Sequence, residues 1–335
     1  GQDIEGMDKT DRRVILPTCG NVFPMKKQEV VVGMSNAIKR LRVVATLVIV
    51  AYHCVCPYLN FNWGGNLFDI VLLNKILQII FIDVLCFTML PTFFMLSGML
   101  FYSRKEHYAD RLKTLWKKFD RLLVPYALIL MFCSFVPIPQ IGIAGCWGHL
   151  WFVKNLFIYF CIALLMFRVK EVYVFALSFI CFIVYCMQSH LGIVIDGEIG
   201  RLMQYAVYFY GGYLAARYFH WIRNCQYFRY GVLLAWLVAL AIRQQTLFTL
   251  LFNVVLLAFV PMTVVTNKAM LYLDKQSFRI YLIHHVLMFA LFASPCFQWL
   301  YARYAIAAMV LMFVVLLAVT LVICGLLTKM KFRYF

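Results

Sequence analysis

Residues 39–58 read Lys39-Arg40-Leu41-Arg42, then VVATLVIVAY, then His53-Cys54-Val55-Cys56-Pro57-Tyr58. This stretch predicts an apolar helix with cations at its start and one histidine eleven residues after Arg42. Eleven residues at ~100° each make roughly three turns, so Arg42 and His53 share a face. At ~1.5 Å per residue they stand ~16 Å apart along the axis. In a membrane-spanning helix, Arg42 sits at the interface and His53 well inside the apolar layer. A titratable ring at that depth is costly. It either bonds a neighbouring helix or serves chemistry.

The composition argues for the membrane. The 335 residues are 64% hydrophobic and only 13% charged, with a mean hydropathy of +0.85. A soluble domain carries roughly 25% charged residues. The apolar segments are long and nearly continuous, which favours helices over a barrel. The expected fold is all-α: a polytopic transmembrane helical bundle of about ten spans.

Working outward from the opening stretch, residues 1–38 are polar and mixed and read as a cytoplasmic tail, with no cleavable signal peptide. Residues 39–328 form the transmembrane domain, and 329–335 a cytoplasmic C-terminal tail. The spans fall near 41–58, 76–102, 123–137, 149–167, 172–188, 203–219, 230–242, 246–265, 277–294 and 304–327. A basic amphipathic segment, 104–121, lies at a membrane face. A Pro/Gly loop, PIPQIGIAGCWG, precedes the fourth span.

Ten spans put both termini on one side. Of the 31 Lys and Arg, 25 then fall on that side, five on the other, and Arg279 inside a span. This follows the positive-inside rule, so the basic side is cytoplasmic. The net charge of +17 is therefore a topology and anionic-lipid signal, and nucleic-acid binding is excluded. Of the twelve cysteines no two form a C-x-x-C pair, and no metal site is expected. Cys146 and Cys296 fall in loops on the same outer side, which leaves a disulfide between them open.

Besides Arg42 and His53, three features exceed what insertion requires, and a further segment, Asp120–Tyr126, bears on the resemblance below. Phe93-Phe94-Met95-Leu96-Ser97-Gly98 ends in small residues that let helices approach closely. Asp120-Arg121-Leu122-Leu123-Val124-Pro125-Tyr126 follows the basic segment. His149-Leu150-Trp151-Phe152 opens the fourth span at its outer mouth. Ser277-Phe278-Arg279-Ile280-Tyr281-Leu282-Ile283-His284-His285 places a cation and two histidines in an apolar helix.

In this order, and with ten residues between Arg42 and His53 in the first span, these motifs resemble the membrane-bound acyltransferase 3 family. That family includes O-acyltransferases of cell-surface polysaccharides. Phe209-Tyr210-Gly211-Gly212-Tyr213 is a weaker match. One departure is that many members carry an acid just before the two phenylalanines, where this chain has Leu90-Pro91-Thr92. The acid that would orient His53 is therefore not given by that motif. Asp83, inside the second span, is the candidate, with a structural Asp83 as the alternative.

The resemblance implies an enzyme of the cell envelope, an integral multi-pass protein of a bacterial inner or plasma membrane. It would move an acyl group, acetyl or succinyl for example, from cytoplasmic acyl-CoA to a hydroxyl of a glycan or lipid-linked sugar. No permanently bound cofactor is implied, and a homo-oligomer is left open. His53 would be the general base. Arg42, Lys117, Lys118 and Arg121 would hold the phosphates, with Ser97 and Tyr126 nearby. His149 and Trp151 would meet the acceptor. Arg279 and His284 are polar groups inside the membrane that form an internal contact or serve the site. A transporter or exporter of a glycan or lipid-linked intermediate is the competing reading.

Overall fold

The structure is a computed structural model that describes residues 27–55, 87–135, 142–265 and 267–330. Asp83 lies outside them. Among the described residues the chain is helical throughout, with no strand. The helices are α1 (Lys27–Val55), α2 (Phe87–Tyr102), α3 (Arg111–Phe135), α4 (Gly142–Leu165), α5 (Glu171–Met187) and α6 (Gly197–Arg217). After these come α7 (Phe219–Asn224), α8 (Gln226–Ala241), α9 (Gln245–Phe259), α10 (Lys268–Phe292), α11 (Pro295–Arg303) and α12 (Ala305–Lys329). A 3₁₀ turn, Lys105–Tyr108, leads into α3.

Local chemistry sets several of these ends. Asp196 caps α6 by accepting from the amides of Glu198 at 2.9 Å and Ile199 at 3.4 Å. Asn267 caps α10 by accepting from Ala269 and Met270. Ser294-Pro295 breaks the chain between α10 and α11, which meet at 84°.

Helices α1 and α10 form the centre. Helix α1 packs on α2, α10 and α12, while α10 also touches α3, α4 and α11. The tightest pairing is α2 against α6. There the Phe93–Gly98 and Phe209–Tyr213 segments meet as one interface. A Cβ on Gly98 would overlap the Phe209 carbonyl oxygen, and one on Gly212 would lie 2.5 Å from the Met99 amide nitrogen. Only hydrogen fits at either position, so Gly98 and Gly212 let the two backbones touch. Around that contact Phe94, Tyr159 and Phe209 form a buried aromatic cluster.

Several sequence-based boundaries shift. Helix α1 begins at Lys27, so part of the segment read as tail is helical. The basic segment and the third span are largely one helix, α3, that carries its amphipathic turns straight into its apolar ones. The second half of the Pro/Gly loop, from Gly142, belongs to α4. The short α7 and α11 were not anticipated. Cys296 is a free, exposed thiol, which removes the disulfide with Cys146; Cys133 is disulfide-bonded instead.

By length and composition, one described helix is long and apolar enough to cross a membrane alone, at Ile306–Lys329. Helices α10 and α11 pass the same test only as a bent pair. Helices α5, α8 and α9 are apolar but only 15–17 residues long. At ~1.5 Å per residue they reach ~22–26 Å, short of a ~30 Å hydrocarbon layer. Their outward faces are nonetheless apolar: Ile180 on α5 and Leu234 on α8 are exposed, as is Val314 on α12.

Substituting Gly98→Ala or Gly212→Ala therefore destabilises the bundle by about 1–3 kcal/mol or more, because backbone rather than a flexible side chain blocks the new methyl. Gly211→Ala is close to neutral, since its Cβ would meet only the Phe175 ring at 3.4 Å. Thermal unfolding of the three variants in detergent checks the contrast, and equal midpoints would refute the glycine crossing.

Candidate functional site

Helices α1 and α10 lie face to face and are joined at two levels. At the first, the Arg42 Nε–H donates to Asp274 Oδ1 at 2.7 Å. At the second, the His53 Nδ1 and His284 Nε2 atoms are 3.2 Å apart. The spacing is eleven residues on α1 and ten on α10, so the two helices run parallel and in register.

The histidine pair has defined tautomers. His53 Nδ1 lies 2.8 Å from the Ile49 carbonyl oxygen, and His284 Nδ1 lies 2.8 Å from the Ile280 carbonyl oxygen. A carbonyl only accepts, so each ring carries its proton on Nδ1 when neutral. The His53 Nδ1–H is then shared between Ile49 O and the lone pair of His284 Nε2. In that tautomer Nε2 is the unprotonated nitrogen of His53. His285 adds a third ring, edge-on to His53 at 4.9 Å between centroids. Sequence reasoning looked for an acid to orient His53; among the described residues, His284 takes up that orienting position.

A cavity of ≈ 160 Å³ opens beside the Arg42 level. Its polar end carries Arg42, Lys118, Arg121, Asp274 and Lys275. Its apolar end is closed by Phe93, Phe152 and Tyr281, with Ser97 on the wall. The Phe152 and Tyr281 rings are 5.3 Å apart, and Tyr281 stands 6.1 Å from the His284 ring. The cavity therefore runs from the cations toward the histidine pair and ends one ring short of it.

The cations outnumber their counter-charges. Among the described residues four of them line the cavity with one carboxylate, Asp274, which is engaged by Arg42. Among the described residues neither Lys118 nor Arg121 has a carboxylate partner. The Lys118 ammonium instead lies 3.9 Å over the Phe160 ring and 5.7 Å from that of Tyr108. Burial, followed by the charges of Arg121 and Arg104, pulls the Lys118 amine down to about 8. The excess of cations over carboxylates gives the cavity a net positive charge among the described residues.

The remaining sequence-predicted residues separate. Lys117 is exposed and outside the cavity, and Tyr126 does not line it. His149 lies on α4 with its side chain outside the described set. Trp151 packs on Tyr205 at 5.0 Å, under the Arg201 guanidinium at 5.4 Å. Beside it, Glu198 pairs with both Lys154 and Arg201. Arg279 is not linked to His284: it donates to Gln276 Oε1 at 2.9 Å and to the Thr328 hydroxyl, tying α10 to α12. Asp274, Lys275 and Tyr281 were missed. The signal for Asp274 was present, since an acid ten residues before His284 mirrors Arg42 before His53.

The tautomer assignment is testable by ¹⁵N NMR of histidine-labelled protein. Both His53 and His284 are expected to show protonated Nδ1 and unprotonated Nε2. A protonated Nε2 on neutral His284 would contradict the shared bond.

Comparison with known proteins bears on this geometry. A family model described as an acyltransferase domain matches residues 35–329, nearly the whole chain. No curated protein and no solved structure matches it. The matched span contains both levels of the α1–α10 pairing and every residue of the cavity. The chain belongs to the acyltransferase 3 family and is, in that general sense, a membrane acyltransferase.

Proposed function

We propose that this protein transfers an acyl group, of the acetyl or succinyl class, from cytoplasmic acyl-CoA to a hydroxyl of an extracytoplasmic or lipid-linked glycan. The observation that carries the reading is the cavity. Four cations with a single carboxylate among the described residues suit a ligand that bears several phosphates at one end, and the cavity's aromatic end stops one ring, Tyr281, short of the histidine pair. Acyl-CoA has that shape, with phosphates, an extended pantetheine arm and a thioester at the far tip. The ~16 Å from Arg42 to His53 is comparable to the reach of that arm.

In this mechanism Arg42, Lys118 and Arg121 grip the phosphates by charge-assisted hydrogen bonds. The arm passes Ser97 and displaces or rotates Tyr281 to bring the thioester to the histidine pair. His53 Nε2 takes the proton of the acceptor hydroxyl as its oxygen attacks the thioester carbon. The C–S bond then breaks, and the CoA sulfur leaves with the proton from the His53 imidazolium. During the step the Ile49 carbonyl and His284 Nε2 hold the His53 ring by its other nitrogen. The polar groups beside Trp151, Glu198 with Lys154 and Arg201, would meet the hydroxyls of the acceptor sugar.

The topology that goes with this reading has ten crossings and both termini in the cytoplasm. The parallel run of α1 and α10 agrees with it, because the first and ninth spans then cross in the same direction. The apolar outward faces of α5, α8 and α12 suit lipid.

Membrane vesicles holding the full chain, supplied with labelled acetyl- or succinyl-CoA on the cytoplasmic face, test the reaction. His53→Ala is expected to lower transfer by about 10²–10⁴-fold, the range for a lost general base, with folding unchanged. Arg42→Ala is expected to raise KM for the donor. Full activity of the His53 variant would sink the assignment.

The Lys118 charge gives a pH test. Its amine is cationic below about 8 and neutral above, so the cavity loses one positive charge as pH rises through that value. The groups facing it are Arg121 on the same helix, Arg104 and Tyr108 from the preceding turn, and Phe160 on α4. CoA affinity is expected to fall across this window, and Lys118→Arg is expected to flatten the profile. An unchanged profile in that variant would remove Lys118 from the anion site.

A further inference from the structure

We propose that Asp274 is a positioning residue for the nucleotide end of the donor, holding Arg42 so that its end-on fork faces the cavity. The proposal rests on the acyl-CoA reading and adds to it a residue that neither the motifs nor that reading assigned.

The geometry is specific about which nitrogen is used. Asp274 Oδ1 takes Nε of Arg42. Among the described residues the two terminal NH₂ groups of Arg42 have no hydrogen-bond partner, and the side chain lines the cavity. A guanidinium grips a phosphate best by presenting two N–H groups in parallel. With Nε tied down, the plane of the group is fixed and its outer fork stays available. Without the carboxylate, the long side chain regains its rotamers and must be ordered again at each binding event.

Asp274 also carries a negative charge, which opposes a phosphate. Two facts favour orientation over repulsion. The cavity holds Arg42, Lys118, Arg121 and Lys275 against that one carboxylate. The ion pair is also partly open to water, with side-chain exposures of 28% for Arg42 and 14% for Asp274, so the longer-range repulsion is screened. The short Nε contact at 2.7 Å is not weakened in the same way.

The position on α10 links this pair to the chemistry. Asp274 is ten residues before His284, and Arg42 is eleven before His53. One carboxylate thus fixes the cation that receives the phosphates at a set distance from the imidazole that receives the thioester.

The test is equilibrium binding of CoA, and of pantetheine as a probe without phosphates, to the purified full-length chain in detergent. Asp274→Asn is expected to weaken CoA binding about tenfold, in line with the loss of one charge-assisted contact's geometry, and to leave pantetheine binding unchanged. Asp274→Glu is expected to restore CoA binding to within about threefold, since it keeps the carboxylate. Arg42→Lys keeps the charge but has neither Nε nor a fork, and is expected to lose CoA affinity as Asp274→Asn does. It carries the test if Asp274→Asn does not fold.

Asp274→Asn binding CoA as well as or better than wild type would overturn the proposal, as would a parallel fall in pantetheine binding. Arg42→Lys binding CoA normally would overturn it too. Wild-type protein that binds no CoA would instead overturn the donor reading itself.

Discussion

The Arg42–Asp274 ion pair and the His53–His284 contact lie eleven residues apart on α1 and ten apart on α10. Helix packing allows only a few discrete registers, because side-chain ridges must sit in the grooves of the neighbour. A slide of one turn, ~5.4 Å, would separate both pairs at once. The two polar contacts therefore select one register from those that apolar packing alone would permit. Inside a bundle built mainly from Leu, Val, Ile and Phe, polar pairs are the groups that distinguish one register from the next. The rest of the site follows, since the cavity lies between these helices and the faces of α2, α3 and α4.

The second constraint is electrostatic. Like charges ~7 Å apart repel by about 2 kcal/mol at an effective dielectric near 20. Four cations around one carboxylate among the described residues therefore repel one another across the cavity. Lys118 shows the consequence, with its amine pulled down to about 8 by burial and by two neighbouring arginines. A multiply charged anion relieves that repulsion, so binding energy is available before any contact to the acyl chain is made. The Phe93, Phe152 and Tyr281 side chains line the cavity, and Tyr281 stands between it and the His284 ring.

The sequence was most informative where a polar group stood in an apolar run. Arg42 and His53 were legible for that reason, and the helical period placed them on one face. The Gly98 and Gly212 segments were each visible as motifs, yet only the folded chain shows that they are the two halves of one crossing. Asp274 was hidden because its neighbourhood, Lys268 to Lys275, reads as an ordinary charged end of a span. Its partner is 232 residues away, and the spacing to His284 was the one local sign of the pairing. His284 was noticed but grouped with Arg279, its neighbour in sequence. Packing sends Arg279 to α12 and His284 to α1. Helix ends were misjudged where amphipathic turns continue into apolar ones, as in α1 and α3, because composition changes there while the backbone does not.

The account's central claim is that the cation cluster and the histidine pair form one acyl-CoA site, joined when Tyr281 moves aside. The most direct measurement is an experimental structure of the full chain with a non-hydrolysable thioether analogue of acetyl-CoA. The account predicts phosphate density within ~4 Å of the Arg42 fork, Lys118 and Arg121, the distance over which ion pairs form. It further predicts Tyr281 moved aside and the thioether beside His53. Phosphates bound elsewhere on the chain, or an arm leading away from His53, would contradict it.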